Sequence, residues 1–244
     1  MRRGAIVRLV TIGVLAGLAA AAVAIFIPWL PAQQSREAGR IDFVFWFVVT
    51  ICIAVFAVVA AVIIYSVFKF RVSSDDDLDG PPIHGHTGIE IIWTAVPTAL
   101  ATAIAIVSTV ALAENAKLKA DRLKVDVTAQ QFAWHFKYPQ YGGFTSDELR
   151  LQQGRQVELT LRALDVIHSF WVPEFRQKQD AVPGTVTHLP ITPTKTGRHT
   201  LICTELCGLG HAVMRAPVIV MTKDGFDKWA RSQQRVGSAA GASG

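Results

Sequence analysis

The residues best suited to chemistry lie in one short run, Cys203-Thr204-Glu205-Leu206-Cys207-Gly208-Leu209-Gly210-His211-Ala212-Val213-Met214. Two thiols, an imidazole and a thioether fall within it. These are soft or borderline donors, and as a set they favour copper over magnesium, calcium or manganese. Another imidazole waits upstream in His168-Ser169-Phe170-Trp171. Gly208 and Gly210 permit the turn that would bring the donors together. A mononuclear blue-copper site needs one Cys, two His and a weak axial Met. The second thiol gives this site capacity for two copper ions bridged by two sulfurs. His168 and His211 would then serve one copper each, with Met214 as a weak ligand and the backbone carbonyl of Glu205 as a further donor. Two other readings use the same residues. Cys203 and Cys207 could pair as a disulfide, or join both histidines around zinc, which leaves Met214 without a role.

Such a cluster needs a rigid support, and the rest of the chain divides into two kinds of sequence. The 244 residues are 51% hydrophobic, but most of that apolar content precedes residue 113. Charge is uneven too. Residues 113–244 hold 17 Lys and Arg against 12 Asp and Glu, a net +5, so the first part is neutral. Residues 11–30 form an apolar stretch behind Arg2, Arg3 and Arg8, which reads as a signal peptide or as an additional transmembrane helix; segment 1–35 is assigned to one or the other. Residues 41–68 and 89–112 are long enough to cross a bilayer, and 36–113 is read as a transmembrane helical hairpin, with Pro97 a point where the second helix could kink. Cys52 sits within the first run as a small hydrophobe. Lys69 and Arg71 put the intervening loop, with its Asp75, Asp76 and Asp77, on the inner side of the membrane. Everything after residue 113 then faces outward.

Residues 113–122 read as a charged, helix-favouring connector. Beyond them the pattern changes to short alternating runs at 123–129, 156–161, 185–191, 199–203 and 216–221, with turns at Gly142-Gly143, Gly154, Pro183-Gly184 and Gly197. Strands at that spacing predict a sandwich or barrel. A closing helix is expected over 226–235, with Asp224 as N-cap. The domain is taken as 114–236, and the Gly/Ser/Ala tail 237–244 as disordered.

The run Cys203-x-Glu205-x-Cys207-Gly208-x-x-His211-x-x-Met214, with His168-Ser169-Phe170-Trp171 before it, resembles the binuclear copper (CuA) signature of cytochrome c oxidase subunit II. The likeness extends to Asp180-Ala181-Val182-Pro183-Gly184. In the membrane part, His84-Gly85-x-Thr87-x-x-Glu90-x-x-Trp93-Thr94-x-x-Pro97 resembles the start of that family's second transmembrane helix. The resemblance implies an α+β membrane protein, a helical hairpin followed by a cupredoxin-like Greek-key β-barrel, in a bacterial plasma membrane with the copper domain on the outer face. It implies that the copper pair takes electrons from cytochrome c and passes them to haem in subunit I, where oxygen is reduced to water. Subunit I, other oxidase subunits, cytochrome c and membrane lipid are the expected partners; no nucleic acid is.

By the same resemblance, the Glu205 carboxylate helps hold magnesium at the subunit I interface, and Glu90 lies at the mouth of a proton channel. The stretch Gln131-Phe132-Ala133-Trp134-His135-Phe136-Lys137-Tyr138 resembles the family's Gln-Trp-x-Trp-x-Tyr region, whose first Trp is the electron entry point. Here that position is Phe132, and Trp134 matches the second Trp. Entry is expected through Trp134 or directly over an apolar patch at Phe132. The positive domain departs from the acidic docking face of mitochondrial-type subunits, with Asp165 and Glu174 near His168 as a possible local acidic rim.

Overall fold

Three long helices come first in the computed structural model, which describes residues 3–71, 82 and 84–241. They are α1 (Arg3–Phe26), α2 (Arg36–Lys69) and α3 (Thr87–Asn115), and each is long and apolar enough to cross a membrane. The loop bearing Asp75, Asp76 and Asp77 lies outside the described residues. The chain divides into two units, Met1–Leu30 with Phe43–Val110, and Pro31–Asp42 with Ala111–Gly244.

In the first unit α1 lies along α2. A Cβ on Gly13 or Gly17 would come within 3.4 Å of Ala57, so small residues let the two backbones approach. α3 runs unbroken through Pro97. The hydroxyls of Thr94, Thr98 and Thr102 each donate to the carbonyl four residues back, at 2.9, 2.7 and 2.8 Å. At its start the Glu90 carboxylate accepts the His86 N–H at 3.1 Å, and His86 Nδ1 accepts the Ile89 N–H at 3.3 Å, a reciprocal cap of the first turn.

The second unit is built on two five-stranded sheets, ordered β3-β2-β1-β5-β8 and β4-β10-β9-β6-β7. The strands are β1 (Leu123–Gln130), β2 (Ala133–Lys137), β3 (Thr145–Ser146), β4 (Leu149–Gln152), β5 (Val157–Ala163), β6 (His168–Trp171), β7 (Lys178–Ala181), β8 (Thr187–Ile191), β9 (Gly197–Cys203) and β10 (Arg215–Met221). Alternation decides which side chains enter the core. Leu123, Val125, Val127 and Ala129 of β1 share it with Leu159 and Leu161 of β5 and with Val218 and Val220 of β10. The expected barrel thus takes the form of a sandwich of two sheets. Two of its pairings, β1 with β5 and β10 with β4, are parallel.

Two segments differ from the sequence reading. Helix α3 stops at Asn115 and the connector that follows is not helical. The Gln156 side-chain amide holds that connector by its backbone, accepting the Lys119 N–H at 2.7 Å and donating to the Lys117 carbonyl at 2.9 Å. Those bonds replace the ones a further helical turn would make. The closing helix α4 spans Lys223–Gly241, starting earlier and running into the stretch read as a tail. Its Phe226 and Ala230 are buried in the core, and Trp229 packs against it.

Residues 31–42 form a strap on the sandwich. Gln34 donates its N–H to the Glu174 carbonyl, Arg36 to that of Thr192, and Thr194 to that of Gln34. Ser35 caps α2 through the Ala38 N–H at 3.1 Å, which is why the helix begins ahead of its apolar run. The buried Glu37 carboxylate accepts both the N–H and the hydroxyl of Thr192, each at 2.8 Å. Arg176, in the left-handed region at φ 65, reaches Asp42 through Nε at 2.7 Å and Nη2 at 3.3 Å.

Candidate metal centre

The positions of the candidate donors follow from strand pairing. β6 lies beside β9 with Phe170 opposite Cys203, so alternation puts His168 and Cys203 on one face. β9 turns back into β10, and the Cys203 N–H donates to the Met214 carbonyl at 3.1 Å, closing the loop between them. Within that loop His211, Val213 and Met214 donate their N–H groups to Gly208, Gly210 and His211.

The donor atoms converge. The two Sγ atoms are 3.9 Å apart. His168 Nδ1 lies 3.9 Å from Cys203 Sγ, and His211 Nδ1 lies 3.6 Å from Cys207 Sγ. Met214 Sδ is 3.7 Å from Cys207 Sγ, and the Cys203 thiol donates to the Glu205 carbonyl at 3.3 Å. His168, Cys203, Cys207 and Met214 are all buried. Each thiol therefore has its own imidazole, and half the S···S separation is well inside a metal–thiolate bond of about 2.3 Å. The residues fit a thiolate-bridged soft metal. Burial, and after it the nearby Cys203, pushes the Cys207 thiol up to about 11. A metal entering the pocket therefore displaces protons.

Around the ligands, Asp165 Oδ1 lies 2.9 Å from His168 Nε2. Burial alone would raise this carboxyl, but hydrogen bonds from His168 and from the Gln131 and Val166 N–H groups outweigh it and hold the group at about 2.

Two stretches of the chain match known domain families: 24–110 matches "Cytochrome C oxidase subunit II, transmembrane domain", and 145–223 matches "Cytochrome C oxidase subunit II, periplasmic domain". Cytochrome c oxidase subunit 2 of Thermostichus vulcanus is 33% identical over 263 residues, covering 86% of this chain and 80% of that protein. The chain belongs to the cytochrome c oxidase subunit II family. Its counterpart in Synechocystis is 31% identical, over 82% of this chain and 74% of that protein. The crystal structure of the periplasmic domain of subunit II from Bradyrhizobium japonicum aligns at 26% identity and a TM-score of 0.47, covering 49% of this chain and 98% of that one. The protein is thus a membrane-bound subunit of a haem-copper oxidase complex, with a periplasmic cupredoxin-like domain.

In this oxidase subunit the aromatic pair expected at electron entry splits in two. Trp134 is 2% exposed and meets the His168 ring edge-on, with centroids 6.1 Å apart. Phe132 is 39% exposed and lies under the ligand loop. A Cβ on Gly210 would sit 2.5 Å from Phe132 ring carbons, and one on Gly208, at φ +129, would sit 2.8 Å from Gln131 Nε2. The loop glycines thus serve close approach as well as turning, a role the sequence reading missed. Gly210→Ala should cost about 1–3 kcal/mol by overpacking, and Phe132→Ala in the same chain should recover part of it. Thermal unfolding checks this; a Gly210→Ala protein as stable as the parent would refute the contact.

The Glu205 side chain is exposed beside the cluster. The Asp165 and Glu174 side chains, read as a local acidic rim, are 30% and 29% exposed, and each also meets a histidine. Asp165 bonds His168, and Glu174 Oε1 lies 3.5 Å from His199 Nδ1.

Proposed function

We propose that this subunit carries a binuclear copper centre that takes electrons singly from a cytochrome c and hands them to haem in subunit I, where oxygen is reduced to water. The ligands assigned are His168, Cys203, Cys207, His211, Met214 and the Glu205 carbonyl. One observation carries the reading: two buried thiols 3.9 Å apart, each with its own imidazole Nδ1 beside it. Cys203 and Cys207, with His168 and His211 beside them, would hold a copper pair, and that pair would supply one-electron storage. The chain supplies the rigidity, because the ligands hang from paired strands and a loop closed by the Cys203–Met214 hydrogen bond. Burial excludes water from the thiols and from His168.

Electron entry is assigned to the face at Phe132, with Trp134 packed behind His168. The support is exposure. Leu206, Leu209 and Val213 of the ligand loop, and Val166 and Ile167 beside His168, are all exposed with Phe132. A donor would meet an apolar surface, and charge would set its encounter rate more than its grip. The exposed Glu205 carboxylate is assigned to magnesium at the subunit I interface. Glu90 is assigned to a proton-channel mouth, as an ionisable group at the end of a membrane helix.

The test is electron paramagnetic resonance of the copper-loaded full chain in detergent. An unpaired electron shared by two copper nuclei is expected. A single mononuclear signal would overturn the reading and favour a copper carrier, as would purification from its native membrane without a haem-bearing subunit.

A further inference from the structure

We infer that Asp165 and Gln131 form one brace that positions both halves of the ligand set: Asp165 fixes the His168 imidazole and, through Gln131, the backbone of the ligand loop at Cys207. The inference rests on the copper reading for its purpose, but its geometry stands in the chain alone.

The brace arises from the parallel pairing of β1 with β5. Their last register pair is Ala129 opposite Ala163, and the Leu164 N–H still donates to the Ala129 carbonyl at 3.0 Å. Two residues further on, the same register brings Gln131 against Asp165. One carboxylate oxygen of Asp165 accepts the Gln131 N–H at 2.6 Å. The other accepts the Val166 N–H at 2.7 Å and lies 2.9 Å from His168 Nε2. Gln131 in turn donates from Nε2 to the Cys207 carbonyl at 2.5 Å.

This arrangement has two chemical consequences. An imidazole that offers Nδ1 to a metal must carry its proton on Nε2, and a carboxylate facing Nε2 selects that tautomer and ring orientation. His168 presents Nδ1 to Cys203 and Nε2 to Asp165. On the other side, the Gln131 amide holds the loop where it passes from Cys207 to Gly208, ahead of His211. Asp165 and Gln131 are positioning residues. Neither contacts a ligand atom on the metal side.

The first readout needs no copper. In the metal-free full chain, with ring nitrogens labelled in its seven histidines, nuclear magnetic resonance should find the His168 ring locked as the Nε2–H tautomer. Asp165→Ala should release it to a mixture, whereas Gln131→Ala should leave it locked. The second readout is copper retention against a competing chelator, with the spectrum of the loaded protein. Each single variant should weaken retention by about 10–100-fold and shift the copper absorption. The double variant should lose little more than Asp165→Ala alone, because Gln131 is seated by Asp165. If Asp165→Ala does not fold, Asp165→Asn replaces it. The amide oxygen still accepts from Nε2, so the tautomer should persist while retention falls by less.

An unchanged tautomer in Asp165→Ala, a released tautomer in Asp165→Asn, or losses that simply add in the double variant would overturn the brace. A mononuclear spectrum in the unsubstituted protein would instead overturn the binuclear reading and leave the metal-free tautomer result standing.

Discussion

Replacing either cysteine by serine should abolish the binuclear copper spectrum, and the two replacements should fail differently. A serine hydroxyl is a hard donor that stays protonated where a thiol ionises, so it cannot bridge two soft ions. Cys203→Ser leaves Cys207 with His211 Nδ1 at 3.6 Å and Met214 Sδ at 3.7 Å. One thiolate, one imidazole and one thioether are three of the four donors of a mononuclear blue-copper site. That variant should therefore bind one copper with a mononuclear resonance. Cys207→Ser leaves Cys203 with His168 Nδ1 at 3.9 Å and the Glu205 carbonyl at 3.3 Å, a poorer set without the thioether. It should hold copper more weakly than Cys203→Ser. Optical absorption, resonance and copper per chain together decide the matter. A full binuclear spectrum in either variant would show that the thiols do not bridge.

The second large effect lies away from the metal. Arg176→Leu should destabilise the strapped sandwich by about 3–5 kcal/mol, the cost of stranding a buried charge. The Arg176 and Asp42 side chains are 6% and 11% exposed. The guanidinium also donates to the Pro173 carbonyl at 3.1 Å and to that of Pro31, and Gln33 Nε2 donates to Asp42 at 2.6 Å. Removing the cation leaves a carboxylate with one neutral partner. Arg176→Leu with Asp42→Leu should recover most of the loss, because desolvating a buried pair offsets much of its attraction. Thermal unfolding in detergent should show a midpoint lower by about 10 °C for the single variant. Equal midpoints for Arg176→Leu and the parent would mean the pair is effectively solvated.

The convergence of the proposed donors was legible in the sequence because five of the six are local. Cys203, Glu205, Cys207, His211 and Met214 fall on one hairpin loop, and their types carry the chemistry whatever the fold around them. His168 was legible through its neighbours in a family motif. The apolar runs of α2 and α3 declared themselves by length. What stayed hidden was held by contacts across long stretches of chain. Nothing in the spacing of Asp42 and Arg176 marks them as partners, since they lie 134 positions apart. Gln131 is an ordinary strand-end residue until the parallel register sets it beside Asp165. Asp165 itself read as part of a docking rim because its charge is visible in sequence and its hydrogen bonds are not. Past Asn115, helix propensity in the connector gave way to bonds from one buried amide, that of Gln156, to the backbone of Lys117 and Lys119.

The strap also sets an order in time. Gln34, Arg36 and Glu37 are bonded to Glu174 and Thr192, which are made much later; the Glu37–Thr192 separation is 155 positions. At translation speeds of about 5–20 residues per second, that gap lasts roughly 8–30 s. Until Arg176 and then Thr192 are made, Asp42 and Glu37 lack those partners, so the segment cannot dock as it does in the finished fold. Its closure requires β8 and the turn that carries Arg176 to be in place. An undocked strap therefore marks a nascent or misfolded subunit, and a docked one marks a chain whose strands have been assembled.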